Sequence, residues 1–433
     1  MNQDKRPAKQ VKPRKKKRRL KKNVRRGCLV FVAAVLLMIF FGFYEAMRPR
    51  EEADVPEVGI PTLPPDATDS LVAETAWRKI LTSPCIDTSK LAISIFDIDR
   101  HCSVLEHHSQ KLMAPASCMK LLTAITAYQQ LGISHEYVSR LFADGPVEDG
   151  MLHGDLIVQL DDDPEILSFE EFAAALTRQG ITGIDGRVRY DLSRRDTLRQ
   201  HPTASPWDIP YSRVPLLMKG EKRVKKEFAA ALPFAVPADD SAEPFATSAG
   251  QAAVLHTVTH PMRAVIAPML IFSSNVKAEC IYYHLHHHAA AGQLPPIQRF
   301  LLEEMAVTDY ERYTINDGSG LSPENRLTTD LLVRLMDYAY HNDSIRQVLI
   351  DESLATPGHP ERHGSLMGRM TDQRFLGRIF CKTGTLTTIG TSSLTGYAQN
   401  ADGRWFAFSI ITCDTPVADA RNMQDAVCGA LVR

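Results

Sequence analysis

Three short motifs, far apart in order, constrain this chain more than anything else in it. Ser117-Cys118-Met119-Lys120, Ser273-Ser274-Asn275 and Lys382-Thr383-Gly384-Thr385 read S-x-x-K, S-x-N and K-T-G. In that order they make up a serine acyl-transfer site that works without histidine. A fold that uses them must bring one hydroxyl and two amines from three distant segments into one cleft. At average residue usage, S-x-x-K and S-x-N each arise by chance roughly twice in a chain this long, and K-T-G about 0.1 times. The weight therefore rests on the ordered set.

The local context suits each motif. Pro115 pre-sets a helix start. Cys118 to Gly132 is rich in Leu, Ala and Thr, with Gly132 as the C-terminal stop. On such a helix Ser117 and Lys120 share a face. The serine lies in the first turn, where free N–H groups and the dipole favour developing negative charge. Lys382 to Thr385 reads as strand: Gly377 to Cys381 leads in, Ser393 to Gln399 follows, and Asp402-Gly403 turns into Trp405 to Thr412. That is the pattern of an antiparallel meander.

The chain has 433 residues, enough for two or three domains. Its net charge of −1 hides an asymmetry. Residues 1–26 carry fourteen Lys or Arg against Asp4, while residues 48–433 carry 36 basic and 49 acidic residues. Gly27 to Tyr44 holds no charge. As a helix it spans about 27 Å, the thickness of a hydrocarbon core. The expected layout is a basic cytoplasmic tail (1–26), a transmembrane signal-anchor (27–44) and a Pro-rich acidic stalk (45–70). Arg25 and Arg26 then place the remainder periplasmic or extracytoplasmic. A cleavable signal peptide competes, but the n-region is long and no clear small-x-small site follows. Nucleic acid is not an expected partner, because no aromatic residue interleaves the basic run.

Eight cysteines show neither a disulfide scaffold nor a metal-ligand spacing. Cys118 and Cys381 border motifs and are expected to point away from the site as small buried hydrophobes. Trp77, Ile80 and Leu81 mark a first helix, with order beginning near Leu71. Leu91 to Asp99 and His101 to Glu106 read as a hairpin, and Val417 to Val432 as a last helix. Helices and strands from both ends are expected to close one sheet. Between Ser117 and Ser273 lie 155 residues, more than a short helical subdomain needs. Residues 71–140 and 256–433 are thus assigned to a catalytic domain and 141–255 to an inserted domain. The insert is β-rich at first (Tyr137 to Asp144, Asp155 to Gln159, Gly186 to Asp191), with a helix near Phe169 to Arg178. From Pro202 to Pro244 it is Pro-rich and irregular. Its basic run, Lys219 to Lys226, is read as a solvated helix face, or else as a contact for an anionic wall polymer.

Beyond the motifs, the chain resembles the D-alanyl-D-alanine carboxypeptidase/endopeptidase family, the low-molecular-mass class C penicillin-binding proteins. Met113 to Ser117 looks like that family's approach to its nucleophile. Gly154-Asp155-Leu156, Asp163-Pro164 and Gly183 to Gly186 look like its inserted domain. Asp317 to Ser322, Gly364-Ser365-Leu366 and Arg369-Met370 look like later core segments. The likeness covers roughly residues 71–195 and 245–433. It implies an α+β penicillin-binding serine transpeptidase/β-lactamase-like core: an antiparallel sheet flanked by helices, plus a helical subdomain and the insert. Two departures stand out. The span from nucleophile to S-x-N is shorter than in larger members, and Ser274 replaces the usual Asp.

Chemically, Ser117 is the nucleophile and Lys120 the nearest base. A lysine of ordinary pKa, about 10.4, is almost wholly protonated at neutral pH, so Lys382 and desolvation are expected to keep Lys120 neutral. Ser273 would relay a proton to the leaving nitrogen, and Asn275 would hold substrate backbone or Lys120. The resemblance implies that Lys382, Thr383 and Thr385 grip a C-terminal carboxylate. It also implies that the Ser117 and Thr385 N–H groups form the oxyanion hole beside Gly384. No metal or organic cofactor is called for. The implied substrates are peptidoglycan stem peptides, with β-lactams as acylating inhibitors. A β-lactamase-like hydrolase and a catalytically silent wall-binding protein of the same fold are the alternatives. His284, His286, His287 and His288 are read as exposed or adventitious, Asp161-Asp162-Asp163 as a loop, and Asp317 to Gly320 as a structural turn beside the site.

Overall fold

The computed structural model describes residues 63–191, 215–219, 221–236, 252–287, 289–290 and 292–433. The expected tail, membrane segment and most of the stalk lie outside these residues, as do much of the Pro-rich half of the insert and His288. Among the described residues no helix is long and apolar enough to cross a membrane.

Helical structure crosses the stalk boundary drawn at residue 70. Helix α1 runs Ala67–Thr82, started by a capping box in which Asp66 and Asp69 each accept from the other's turn. The hairpin β1 (Leu91–Asp97) and β2 (Cys102–His107) follows. Next comes a 3₁₀ turn, Ala116–Cys118, and then α2 (Met119–Leu131), which ends at Gly132 with φ 88°. Every residue from Met119 to Tyr128 is buried. A helix buried all round is a central one, and it fixes Ser117 in the middle of the molecule.

The insert follows as β3 (Glu136–Asp144), β4 (Val147–Glu148), β5 (Met151–Leu152) and β6 (Asp155–Gln159), then α3 (Glu170–Arg178), β7 (Gly183–Ile184), β8 (Val188–Asp191) and α4 (Glu221–Ala231). Strand β9 (Ala253–Pro261) leads back through α5 (Met262–Phe272), α6 (Asn275–His287), α7 (Pro296–Glu303), α8 (Thr329–His341) and α9 (Asp343–Val348). The chain closes with β10 (Ile379–Leu386), β11 (Thr391–Gln399), β12 (Trp405–Thr412) and α10 (Val417–Leu431).

Five strands form one sheet in the order β10-β11-β12-β1-β2. The first strand pairs antiparallel with the last, Leu91 facing Thr412, so the two ends of the domain close this sheet. One apolar core lies under it around α2, α5, α6 and α8. A second lies between the other face and α1 and α10. A separate four-stranded sheet, β8-β6-β3-β9, has its own core with Phe169, Phe172 and Phe228. The boundaries drawn at residues 140/141 and 255/256 fall inside paired strands: β3 and β9 run through both, with Arg140 facing Thr257. Extended pairing carries the chain from α2 into the insert without a linker.

At one end of the central strands of the main sheet, Arg404 collects three carboxylates. Its guanidinium reaches Asp66 at 2.8 Å, Asp97 at 3.0 Å and Asp69 at 3.3 Å, and Arg100 adds a second cation 3.4 Å from Asp69. The side chains of Asp69 and Asp97 have no solvent exposure. This cluster ties α1 to the ends of β1 and β12.

Candidate active site

The sequence predicts that Ser117, Lys120, Ser273, Asn275, Lys382, Thr383, Gly384 and Thr385 share one cleft. Two of them, Ser117 and Asn275, meet around the amine of Lys120. Its Nζ lies 3.0 Å from Ser117 Oγ, 2.8 Å from Asn275 Oδ1 and 2.6 Å from the Ser319 carbonyl oxygen. Two of these neighbours can only accept, and they take two N–H bonds of a neutral amine. The third, a hydroxyl, is then free to donate its proton to the amine's lone pair. That is the geometry of a nucleophile and its base.

Lys120 has no solvent exposure. Burial drives its pKa well below the ordinary lysine range, and the ammonium of Lys382 pushes it further in the same direction. The sequence reading put the second amine first; the structure reverses the order, with desolvation the larger cause. Lys382 is also fully buried, and burial lowers it to about 8, so at neutral pH it is the charged member of the pair.

Local strain and close packing hold the nucleophile. Ala116, just before Ser117, has φ +48°, a left-handed conformation costly for a residue with a Cβ. Ser393 on β11 donates to the Pro115 carbonyl at 2.7 Å. Gly384 faces the same turn. A Cβ there would lie 2.2 Å from Ser393 Oγ and 2.9 Å from both Ala116 Cβ and Ser117 N, so the K-T-G glycine is a contact requirement. Gly320 meets Ala116 from the other side at φ +78°, where a Cβ would lie 1.8 Å from the Ala116 oxygen.

Strand β10 lies at the edge of the sheet. Cys381 exchanges both main-chain bonds with Ala355, on the side away from β11. Alternation along the strand turns the main-chain groups of Thr383 and Thr385 to that same side. Lys382 Nζ donates to the Thr383 oxygen at 2.8 Å. The Thr385 N–H is left at an edge that carries no strand, beside the nucleophile's turn. Thr383 Oγ1 donates to Ser365 Oγ at 2.5 Å, and Thr385 Oγ1 accepts from Arg421 at 3.2 Å.

Ser273 and Asn275 sit at a break between two helices. Ser273 caps α5 in the left-handed region (φ 60°, ψ 39°), and Asn275 begins α6. Asn275 engages Lys120 directly, which selects one of the two roles read for it. Ser273 is half-buried, and its hydroxyl makes no hydrogen bond within the described residues.

Three contributors carry no motif of their own. Ser319 supplies the carbonyl that accepts from Lys120, in a turn fixed by buried Asp317, which accepts from the Gly320 and Ser322 N–H groups. Glu279, one turn along α6, accepts from the Ser319 N–H at 3.0 Å. Its second oxygen is buried without a hydrogen bond among the described residues, and desolvation with nearby Asp317 raises its pKa to about 7. Arg421 arrives from α10. The i, i+4 spacing of Asn275 and Glu279 on one helix face was the available signal for Glu279, and the reading of Asp317 to Gly320 as a turn beside the site was the signal for Ser319; Arg421 had none.

The remaining readings divide. Cys118 and Cys381 are buried, and seven cysteines, Cys85 to Cys428, are free. Cys118 does more than pack, since its thiol donates to the Lys382 carbonyl at 3.2 Å. His284 corrects the reading of an exposed histidine surface. It is fully buried, Nδ1 at 3.2 Å from Asp162 and Nε2 at 2.7 Å from His135. The apolar face of α6 turns inward and takes this histidine with it, against the loop of Asp161 to Asp163. The basic run is helical in α4, with Lys219 and Arg223 both on Glu227.

Comparisons with known proteins bear on the family and the fold of the chain. The sequence profile of the D-Ala-D-Ala carboxypeptidase 3 (S13) family matches residues 73–215 and 220–433. A D-alanyl-D-alanine carboxypeptidase of Actinomadura sp. (strain R39) is 28% identical over 166 residues, 38% of this chain and 30% of the relative. The D-alanyl-D-alanine carboxypeptidase DacB of Haemophilus influenzae is 27% identical over 115 residues, 26% of this chain and 24% of the relative. The matched segments thus span under a third of either relative's length. In fold, the chain is similar to the crystal structure of penicillin binding protein 4 (dacB) from Haemophilus influenzae. The TM-score is 0.62 at 16% identity, covering 83% of this chain and 99% of that one. A predatory endopeptidase of Bdellovibrio bacteriovorus, Bd3459, solved with an immunity protein, gives 0.52 at 14% identity, covering 78% and 89%.

Proposed function

The chain belongs to the D-Ala-D-Ala carboxypeptidase 3 (S13) family, and from that premise we propose that it is a serine-type D-alanyl-D-alanine carboxypeptidase/endopeptidase acting on peptidoglycan stem peptides. One observation carries the reading: a buried amine, Lys120 Nζ, at 3.0 Å from Ser117 Oγ with both other neighbours carbonyl acceptors.

The steps follow from that geometry. Ser117 Oγ attacks the carbonyl carbon of the scissile amide while Lys120 takes the hydroxyl proton. Negative charge collects on the carbonyl oxygen and is met by the N–H groups of Ser117 and Thr385. One such donor contributes roughly 10²–10³ in rate. The proton passes to the leaving nitrogen through Ser273, the C–N bond breaks, and D-alanine departs. Water then attacks the acyl-serine, Lys120 again accepts the proton, and the ester bond breaks to regenerate Ser117. Burial, aided by Lys382, holds Lys120 neutral, and Lys382 supplies positive field beneath the threonines. Its charge, with the Thr383 and Thr385 hydroxyls, favours a carboxylate beside the scissile bond.

The same cleft accepts a β-lactam, whose carboxylate lies next to a strained amide. The H. influenzae relative has been solved with a β-lactam bound. A lactamase needs a group that activates water against the acyl-enzyme. Glu279, a buried acid near the base, is hydrogen-bonded to the far side of the Ser319 peptide from Lys120 and makes no hydrogen bond to Ser117, so the wall-peptide reading is favoured. In this reading residues 27–44 anchor the chain in the cytoplasmic membrane, with residues 1–26 inside and the catalytic part outside.

The test is labelling with a fluorescent penicillin, followed by mass spectrometry of the modified peptide and assay of D-alanine release from a D-Ala-D-Ala peptide. Label on Ser117 that is lost in Ser117→Ala is expected. Label on another serine, or rapid turnover of penicillin without D-alanine release, overturns the assignment.

A further inference from the structure

At the open end of the K-T-G strand stands an arginine that no motif marks. Arg421, in the second turn of α10, donates from Nη2 to Thr385 Oγ1 at 3.2 Å. Its backbone is well anchored. Gln424, three residues on and on the same helix face, is fully buried and donates to Ser392 Oγ at 3.1 Å. Ser392 is the register partner of Thr385 on β11. The Arg421 carbonyl accepts from Arg369, which Asp425 holds in turn. This face of α10 is therefore docked on the end of β10 and β11, with Arg421 over Thr385.

The guanidinium itself is exposed, and among the described residues it makes no ion pair. Its neighbour Arg369 and the distant Arg404 are both neutralised by carboxylates. Lys382, by contrast, has no exposure and spends a proton on the Thr383 oxygen. The lysine acts on the cleft as a field through the strand. The cation offered to solvent beside the threonine hydroxyls is Arg421.

A guanidinium is a planar fork that matches a carboxylate with two parallel N–H bonds. One Nη2 bond to Thr385 leaves the other N–H groups available. We infer that Arg421 is a substrate-binding residue, which with the Thr385 hydroxyl takes the carboxylate next to the scissile amide and so selects substrates bearing that free acid. This deepens the proposed activity and rests on it. The competing role is structural, an arginine that only ties α10 to β10.

The experiment compares acylation of Ser117 by benzylpenicillin and by its methyl ester, which lacks the negative charge. Wild type, Arg421→Gln and Arg421→Lys are measured, with thermal melts on each. The expected result is a fall of about tenfold to a hundredfold in the acylation rate constant of Arg421→Gln for the acid, little change for the ester, and a partial recovery for Arg421→Lys. The same variant should raise KM for a free-acid D-Ala-D-Ala peptide more than it lowers kcat. An equal loss on acid and ester, with or without a lower melting point, makes Arg421 a structural tie and overturns the inference; so does no loss on either. A wild type acylated by neither compound fails at an earlier step, and there the proposed activity falls and this inference with it.

Discussion

Two regions of this molecule bury charge and do opposite things with it. At one end of the central strands, Arg404 and Arg100 meet Asp66, Asp69 and Asp97. Each charge has an opposite partner. The Arg404 guanidinium holds Asp66 well below the usual carboxylate range, while burial pushes Asp97 up to about 6. In the cleft, two lysines share one buried space and neither has a carboxylate within ion-pair distance among the described residues. Buried charge that is matched fixes structure. Buried charge that is left unmatched shifts its proton affinity, and a shifted amine can do chemistry at neutral pH.

The comparison breaks most sharply at Lys120. Lys120→Met should lower the acylation rate by about 10²–10⁴ while leaving the melting temperature unchanged or raised, because it deletes an uncompensated buried amine. Kinetics with a fluorescent penicillin and a thermal melt on one sample read both. If the variant unfolds, the amine is a structural element and the contrast with the Arg404 cluster is lost. Arg404→Ala is the mirror case. It strands Asp69 and Asp97 in the interior and should cost about 2–4 kcal/mol by denaturant titration, reduced by the part of Arg404 that faces water. The acylation rate per folded molecule should hold.

How much of this could be read before the fold was known depends on distance along the chain. The nucleophile helix, the closing meander and the pairing of the two ends were legible because each is written in periodicity, turn residues and local caps. The motif residues were legible because their spacing is chemical. Ser319 was legible only as part of a turn beside the site, and Glu279 only through its i, i+4 spacing from Asn275. Arg421 was not legible: it acts through one contact made across a long stretch of chain, and nothing beside it in sequence marks that contact. His284 misled for the related reason that a histidine run looks solvated until one side of its helix is buried. The insert boundaries fall inside paired strands because β3 and β9 carry no break in pattern at residues 140/141 and 255/256.

Smaller effects sharpen the contrast through pH. Glu279 is raised from 4.5 to about 7 in the folded state. Its contribution is fully present below pH 4.5 and is lost as pH rises through 7. The loss is on the order of 3 kcal/mol at most. Glu279→Gln keeps the acceptor for the Ser319 N–H, so its melting temperature should depend less on pH across that window than wild type does. An unchanged pH dependence would show that Glu279 is not the group responsible. The last and smallest effect is kinetic. Acylation should rise with pH as Lys120 loses its proton, then fall near pH 8 as Lys382, at about 8, loses its own. A rate profile flat through pH 9 removes Lys382 from the charge balance of the cleft.

The uninterrupted run of β3 and β9 has a practical corollary for anyone wanting a minimal enzyme. Excision at the apparent edges of the insert would sever both ribbons midway. Ala143 and Ala253 stand opposite each other, so a graft should keep Glu136–Asp144 and Ala253–Pro261 whole and join them by a tight two-residue reversal. Leu141 and Val258, which lose their apolar neighbours in that trimmed form, are the positions to repaint with hydrophilic side chains.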